Sequence, residues 1–200
     1  TLGAVKEQDL REAIVSSCEE LLVPGAIRSL ADRPMKRALP VFHGGVLLND
    51  PHNPYWGRYQ GDEDTRRKPA YHNGTVWTWL QGAVISELCR HNRENLGYSV
   101  TLNSVHQILD RGAAGTQSEL LDALPYPGEA EPRLSGTFSQ AWNLAEFIRN
   151  FYDDYLGIRI DREARIATWA PRIPDSLGSV DARINFEGRG VHLHAAGHGI

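Results

Sequence analysis

Residues 71–91 read YHNGTVWTWLQGAVISELCRH. From about Val76 to His91 the apolar residues keep a helical spacing: Trp77, Leu80, Val84, Ile85 and Leu88 share one face, and no charge occurs before Glu87. A helix with so little charge is expected to be buried on most sides. The nine residues before it, Tyr71 to Trp79, sit at a loop-to-helix junction, where the free N–H groups of a helix start can bind ligand oxygens.

Working outward, three more helices are predicted. Towards the N-terminus, Asp9 is placed to cap a helix and Glu12 to complete a capping box, with Leu10, Ile14, Cys18, Leu21 and Leu22 on one face and Pro24-Gly25 as the stop. Downstream, a third helix is predicted near Leu102–Arg111, with Val105, Ile108 and Leu109 inward and Gly112 ending it. A fourth is predicted from about Ser139 to Leu156, with Ala141, Leu144, Ala145, Ile148, Phe151, Tyr152 and Tyr155 on its face. After that the period changes from 3.6 to 2. Ile158, Ile160, Ile166 and Thr168 suggest a hairpin turning at Asp161–Ala164. Val180, Ala182, Ile184 and Phe186 alternate, turn through Glu187-Gly188-Arg189-Gly190, and give way to Val191, Leu193 and Ala195. The chain thus reads as mainly α with a small antiparallel β appendage at its C-terminal end.

The stretch 25–74 has no strong period and is rich in Pro, Gly, Asn and Asp. A loop of that length within a compact domain is usually functional. It carries Tyr55, Trp56, Arg58, Tyr59, Asp62, Glu63 and Asp64, a mixture of flat apolar faces and hydrogen-bonding groups suited to sugars.

The 200 residues suffice for one domain with a sizeable core, and 41% hydrophobic and 23% charged residues are ordinary for a soluble globular protein. A formal charge of −4 argues against nucleic acid and anionic membrane as partners. The one tight basic run, Arg66-Arg67-Lys68, follows acidic Asp62-Glu63-Asp64 and reads as a solvated loop. Cys18 and Cys89 fit no metal-ligand spacing and are expected as free, buried thiols, which suits a cytoplasmic protein. There is no signal-peptide pattern and no apolar run of membrane-spanning length. The chain starts at Thr1 without an initiator Met, so a fragment of a longer protein is expected.

Two segments carry chemistry. In Tyr71–Trp79, Gly74 permits close backbone approach, Tyr71, His72 and Asn73 supply donors and acceptors, and Trp77 supplies a platform. The alternative is that both tryptophans are core residues and His72 only caps the helix. The second segment is Ser118-Glu119-Leu120-Leu121-Asp122, followed by Ser139-Gln140-Ala141-Trp142-Asn143. Glu119 lies between the Gly112–Gly115 turn and a Pro/Gly-rich loop, where a carboxylate can face a cleft or simply be solvated.

Taken in order, these segments resemble bacterial glycogen debranching enzymes of the amylo-α-1,6-glucosidase type. The similarity runs from Asn49 to Trp79, DPHNPYWGRYQGDEDTRRKPAYHNGTVWTW being its core. Gly25-Ala26-Ile27-Arg28-Ser29-Leu30 is similar to that family's GLRSL segment, Ser118–Asp122 to its PEILDG segment and Gln140-Ala141-Trp142 to its AQAW segment. The resemblance implies an inverting glycoside hydrolase of the glucoamylase-like group. Residues 1–157 would form the C-terminal part of an (α/α)6 toroid or barrel, with 158–200 as a β tail packed on it.

The resemblance further implies that Glu119 is the general base, activating the water that attacks the anomeric carbon. Arg28, Tyr71, His72, Asn73, Gly74, Thr75, Trp77, Gln140 and Trp142 would bind glycogen or another branched α-glucan. No metal, cofactor, nucleic acid or membrane is implied. A second carboxyl must protonate the leaving oxygen, roughly 6.5–9.5 Å from the base in an inverting enzyme, and its environment must differ so that one group is ionised while the other is protonated. The family's general acid lies upstream of all these motifs and is expected to precede Thr1. The chain departs from the family pattern at Ala123–Gly128, where the usual Gly-Asp form is absent, at Thr137 in place of a Cys, and at Leu80–Val84. Rival readings are a trehalase-like inverting glucosidase and a carbohydrate-binding module without catalysis.

Overall fold

The computed structural model describes residues 4–24, 26–59 and 69–197. Asp62, Glu63, Asp64 and the basic run after them lie outside the described residues, as does Gly25. Among the described residues there are four α-helices: α1 (Gln8–Glu19), α2 (Leu80–Arg90), α3 (Glu94–Asp110) and α4 (Ala141–Arg149). Helix α2 is the hub and touches the other three. A π-helical segment, Asn150–Tyr155, continues α4.

The remaining regular structure is antiparallel. Strands β1 (Leu22–Val23) and β2 (Ala26–Ile27) form a tight hairpin, as do β3 (Phe42–His43) and β4 (Val46–Leu47). Strands β5 (Val76–Trp77), β6 (Leu120–Leu121) and β7 (Leu134–Ser135) form a three-stranded sheet in that order, and Arg28 bridges to Val76 beyond β2. Hence the mainly-α expectation and the (α/α)6 toroid do not hold. Four helices alternate with small antiparallel sheets, and the described segments 26–59, 69–79 and 112–140 are pinned by two-residue ladders. A toroid needs successive helix pairs, and those segments, dense in Pro and Gly, form turns and bridges.

The helices also differ in detail from their sequence patterns. Val76 and Trp77 are strand, because their backbone groups pair with Leu121 and Leu120, and the helix starts only at Leu80. In α1 no side chain caps the N-terminus, and Glu12 reaches His91 Nδ1 at 2.7 Å. Leu10 and Ile14 are exposed, and Val15 is the buried residue of that helix. Helix α3 begins eight residues earlier than expected and turns Gly97, Val100, Thr101, Ser104 and Gln107 inward, leaving Leu109 66% exposed. In α4 and the π segment, Asn143, Asn150, Asp154 and Tyr155 are buried while Trp142, Ile148 and Tyr152 are exposed.

For α3 and α4 the reason is a polar layer where they meet α2. Gly82 lets α4 approach closely: a Cβ there would lie 2.8 Å from Glu146 Cβ. The carbonyl of Gly82 accepts from Asn150 Nδ2 at 2.8 Å and Ser86 Oγ donates to Asp154 Oδ2 at 2.7 Å. Polar groups held by such hydrogen bonds can occupy an interior that periodicity alone assigns to apolar residues, although Gln81 Oε1, the Gln107 amide and Asn143 Oδ1 are buried there without a partner among the described residues.

After Gly157, β8 (Ile158–Asp161) pairs with β9 (Ile166–Trp169), and β10 (Ser179–Phe186) with β11 (Arg189–Ala196). Both hairpins fall where the two-residue period predicted them. Ala195, Ile173, Ile158 and Leu156 form one apolar cluster beneath β10 and β11. Cys18 and Cys89 are free; Cys89 is buried, and burial pushes its thiol up to about 12, so it is an inert packing residue.

Candidate functional site

The three-stranded sheet organises the site because the pleat sends neighbouring residues to opposite faces. Val76 and Leu121 pack with Val23, Ala26 and Ala123 on one face. Trp77 and Leu120 pack with Tyr59, and with Tyr71 and Leu80, on the other. Glu119 immediately precedes β6. Its backbone N–H donates to the Thr137 carbonyl at 2.9 Å, extending the β6–β7 ladder by one bond.

The Glu119 side chain is held at both oxygens. Tyr71 Oη donates to Oε1 at 2.6 Å, and the Thr137 backbone N–H donates to Oε2 at 3.0 Å. The residue is 9% exposed. Gly136 makes this possible: its φ is +71°, and a Cβ there would lie 2.6 Å from Oε2 and 2.9 Å from Glu119 Cβ. Any side chain at 136 would meet both backbone strain and the carboxylate.

Around this carboxylate the structure gathers part of the expected set. His72 stacks on Trp77 with ring centroids 5.3 Å apart and planes 3° from parallel, and Tyr71 meets Trp77 edge-on at 4.8 Å. The Trp77 indole N–H donates to the Tyr71 carbonyl at 2.6 Å. Trp77 is only 9% exposed and one of its faces is covered, so the exposed ring at this place is that of His72.

Gly74 and Thr75 build the turn. A Cβ on Gly74 would lie 2.7 Å from the Tyr55 ring and 2.8 Å from the Trp56 carbonyl, and Thr75 Oγ1 donates to the carbonyls of Ala70 and Tyr71 at 3.1 Å each. Asn73 accepts from the Trp56 N–H through its own carbonyl at 2.7 Å. Gln140 bonds Thr137 Oγ1 through its side-chain amide and the Gln117 carbonyl through its backbone, one step from the carboxylate's partner.

Two expected residues are placed apart. Arg28 bridges Val76 and therefore lies on the opposite face of the sheet from Trp77, with its guanidinium 5.2 Å from the Tyr55 ring centroid. Trp142 is exposed on the first turn of α4. Val76 and Trp77 lie in strand β5, between Arg28 and β6, and α2 begins only at Leu80, so this segment is not a helix N-terminus.

Sequence reasoning did not single out Gly136, Thr78 or Asn143. Gly136 follows a positive-φ requirement that a Ser-Gly-Thr stretch does not announce, and Thr78 and Asn143 read as ordinary helix residues.

A cavity of about 300 Å³ lies beside the segment, lined by Tyr55, Trp56, Gly57, Arg58 and Leu124. A cavity of about 510 Å³ lies elsewhere, between α1 and the end of α2, and includes none of the Glu119 group. That second cavity is lined by Glu12, Glu87 and His91, with Glu12 bonded to His91 Nδ1 at 2.7 Å. Asp122, three residues on, is buried; it accepts from the Tyr59 N–H at 2.6 Å, and desolvation holds its carboxyl above the usual aspartate range, against that hydrogen bond and nearby Arg133 and Arg58. Among the described residues no group of three or more His, Cys, Asp or Glu could hold a metal ion, and no helix is long and apolar enough to cross a membrane.

The site thus brings one tethered carboxylate, Glu119, beside the His72–Trp77 stack. Residues 6–149 match the protein family described as amylo-alpha-1,6-glucosidase. That span is well over half of the chain, and the chain belongs to this family, whose name ties it to glycoside hydrolysis in glycogen debranching. No curated protein matches the sequence.

Proposed function

We propose that the protein hydrolyses α-1,6-linked glucose at branch points of glycogen or a related α-glucan, with inversion, and that Glu119 is the general base. The observation that carries this is the double tether of Glu119: Tyr71 Oη on one oxygen and the Thr137 N–H on the other, beside the His72–Trp77 stack, within the span that matches the family. Two fixed hydrogen bonds leave the carboxylate one orientation from which to accept a proton from water. The exposed His72 ring supplies a flat face for a sugar ring beside the carboxylate. The general acid is a separate group.

The test is Glu119→Gln in the full-length protein acting on a branched limit dextrin. The amide keeps shape and an acceptor oxygen but cannot take the proton, so it removes a transition-state role and little ground-state binding. Glucose release should fall in kcat by about 10²–10⁴-fold with KM little changed. Near wild-type kcat would end the assignment. Trp77 is too buried for a clean test of sugar stacking, because Trp77→Ala would also empty the Tyr59–Leu120 cluster.

A further inference from the structure

The carbonyl oxygen of Ser118, the residue before Glu119, accepts two side-chain hydrogen bonds from different elements. Thr78 Oγ1 donates at 3.1 Å from the turn preceding α2, and Asn143 Nδ2 donates at 2.8 Å from the start of α4. Thr78, Ser118 and Asn143 are all buried. That carbonyl and the Glu119 N–H belong to one rigid peptide plane. The N–H end is held by the Thr137 carbonyl at 2.9 Å. The plane that carries the Glu119 Cα is therefore clamped at both ends, by β7's extension on one side and by side chains from the turn before α2 and from the start of α4 on the other. Ser118 Oγ donates onward to the Leu120 carbonyl at 2.6 Å, tightening the same turn.

We propose that Thr78 and Asn143 are positioning residues that aim Glu119 through the shared Ser118 carbonyl. The proposal rests on Glu119 being the general base. Neither side chain contacts the carboxylate. Each converts the packing of a helix start into the tilt of one peptide plane. Displacing a reacting group by about 1 Å can cost on the order of 100-fold in rate, so a small tilt should be visible in kinetics. Loss of one donor leaves the other in place and should allow only part of that displacement.

The experiment compares four variants of the full-length protein on a branched dextrin: Thr78→Val, Thr78→Ser, Asn143→Leu and Glu119→Gln, each with its melting temperature. Thr78→Val keeps shape and loses the donor, and Thr78→Ser keeps the donor. The expected result is a fall in kcat of about tenfold for Thr78→Val with KM within about twofold, and recovery to within about twofold of wild type in Thr78→Ser. Asn143→Leu should fall at least as far in kcat.

If Glu119→Gln is inactive while Thr78→Val, folded at the assay temperature, keeps wild-type kcat, the positioning role is overturned and the base stands. The same holds if Thr78→Val raises KM instead, or if Thr78→Ser is as slow as Thr78→Val. If Glu119→Gln itself retains kcat, the base assignment fails and the positioning role fails with it. Thr78→Val remains informative even where Asn143→Leu does not fold.

Discussion

Asp122 shows how a single residue near the site sets its own pH dependence. The side chain is 1% exposed, and one carboxyl oxygen accepts the Tyr59 N–H while the other is buried without a partner. Burial favours the neutral acid and raises the group above its ordinary value of 3.8. The folded chain then binds this proton more tightly than the unfolded chain. The stability from this group is fully present below the ordinary value and is lost as pH rises through the raised, folded value. Asp122→Asn keeps the oxygen that Tyr59 needs and cannot ionise. Relative to wild type, the Asp122→Asn variant should gain urea midpoint steadily as pH increases from about 4, the lower bound set by the ordinary aspartate range. Midpoints at several pH values between the two ends measure this, and parallel pH curves for the two proteins would contradict it.

At the scale of elements, the junction of α2 with α4 and the π segment is held by one buried carboxylate. Asp154 is 2% exposed, and its Oδ2 accepts from Ser86 Oγ and Asn150 Nδ2 at 2.7 Å each. Arg149 Nη1 lies 3.4 Å from the same oxygen, and Arg159 Nη2 lies 3.6 Å from Oδ1. The π-helical turn places Asn150 and Asp154 together against Ser86, where a continuing α-helix would shift the later residues around the axis. Asp154→Ala removes the acceptor that Ser86 Oγ, Asn150 Nδ2 and Arg149 Nη1 share and leaves those side chains their other partners at Gly82 and Glu146. It should lower unfolding free energy by about 3 kcal/mol, the lower end for breaking a buried ionic group because both arginines are partly exposed. Ser86→Ala removes one of the hydrogen bonds to the carboxylate and should cost about 1.5 kcal/mol, the lower end for a bond to a charged group. Chemical denaturation of the two variants measures the ratio, and equal small losses would mean that the carboxylate is not the centre of the junction.

For the molecule as a whole, the interior is divided. Separate apolar clusters lie on the two faces of the β5–β6–β7 sheet, between α2 and α3, and under the C-terminal hairpins, with the polar layer among α2, α3 and α4. Damage to one cluster should therefore stay local. Ala195, 7% exposed, packs in the cluster with Leu156, Ile158 and Ile173, far in sequence from the site strands. Ala195→Asp places an unpaired carboxylate there, at a cost of at least about 2 kcal/mol. Amide hydrogen exchange should accelerate across Ser179–Ala196 while the Val76–Leu121 pairing keeps its protection. Equal acceleration in both places would show one cooperative core instead.

How much of this was legible in the sequence differs by element. The two C-terminal hairpins were, because alternation of period 2 and the Glu187–Gly190 turn are local signals that no partner has to supply. The existence of α1, α2 and α4 was legible from spacing, and so were the segments around Tyr71 and Glu119 by their resemblance to a family. The inward faces of α3 and α4 were not. Periodicity assigns Val105, Ile108 and Leu109 to the core, whereas the hydrogen bonds of Thr101 with Tyr155, Asn143 with Ser118 and Asn150 with Gly82 depend on several elements meeting. Strand β5 was hidden for the same reason: Val76 and Trp77 suit a helix locally and become strand through Leu120 and Leu121, far along the chain. The sequence by itself determined the residue types at the carboxylate and its aromatic neighbours, because those are local identities. Only the tertiary structure decided that Tyr71 reaches Glu119, that Gly136 makes room for it and that Arg28 stands on the other face, since each depends on long-range pairing that no short window of sequence contains.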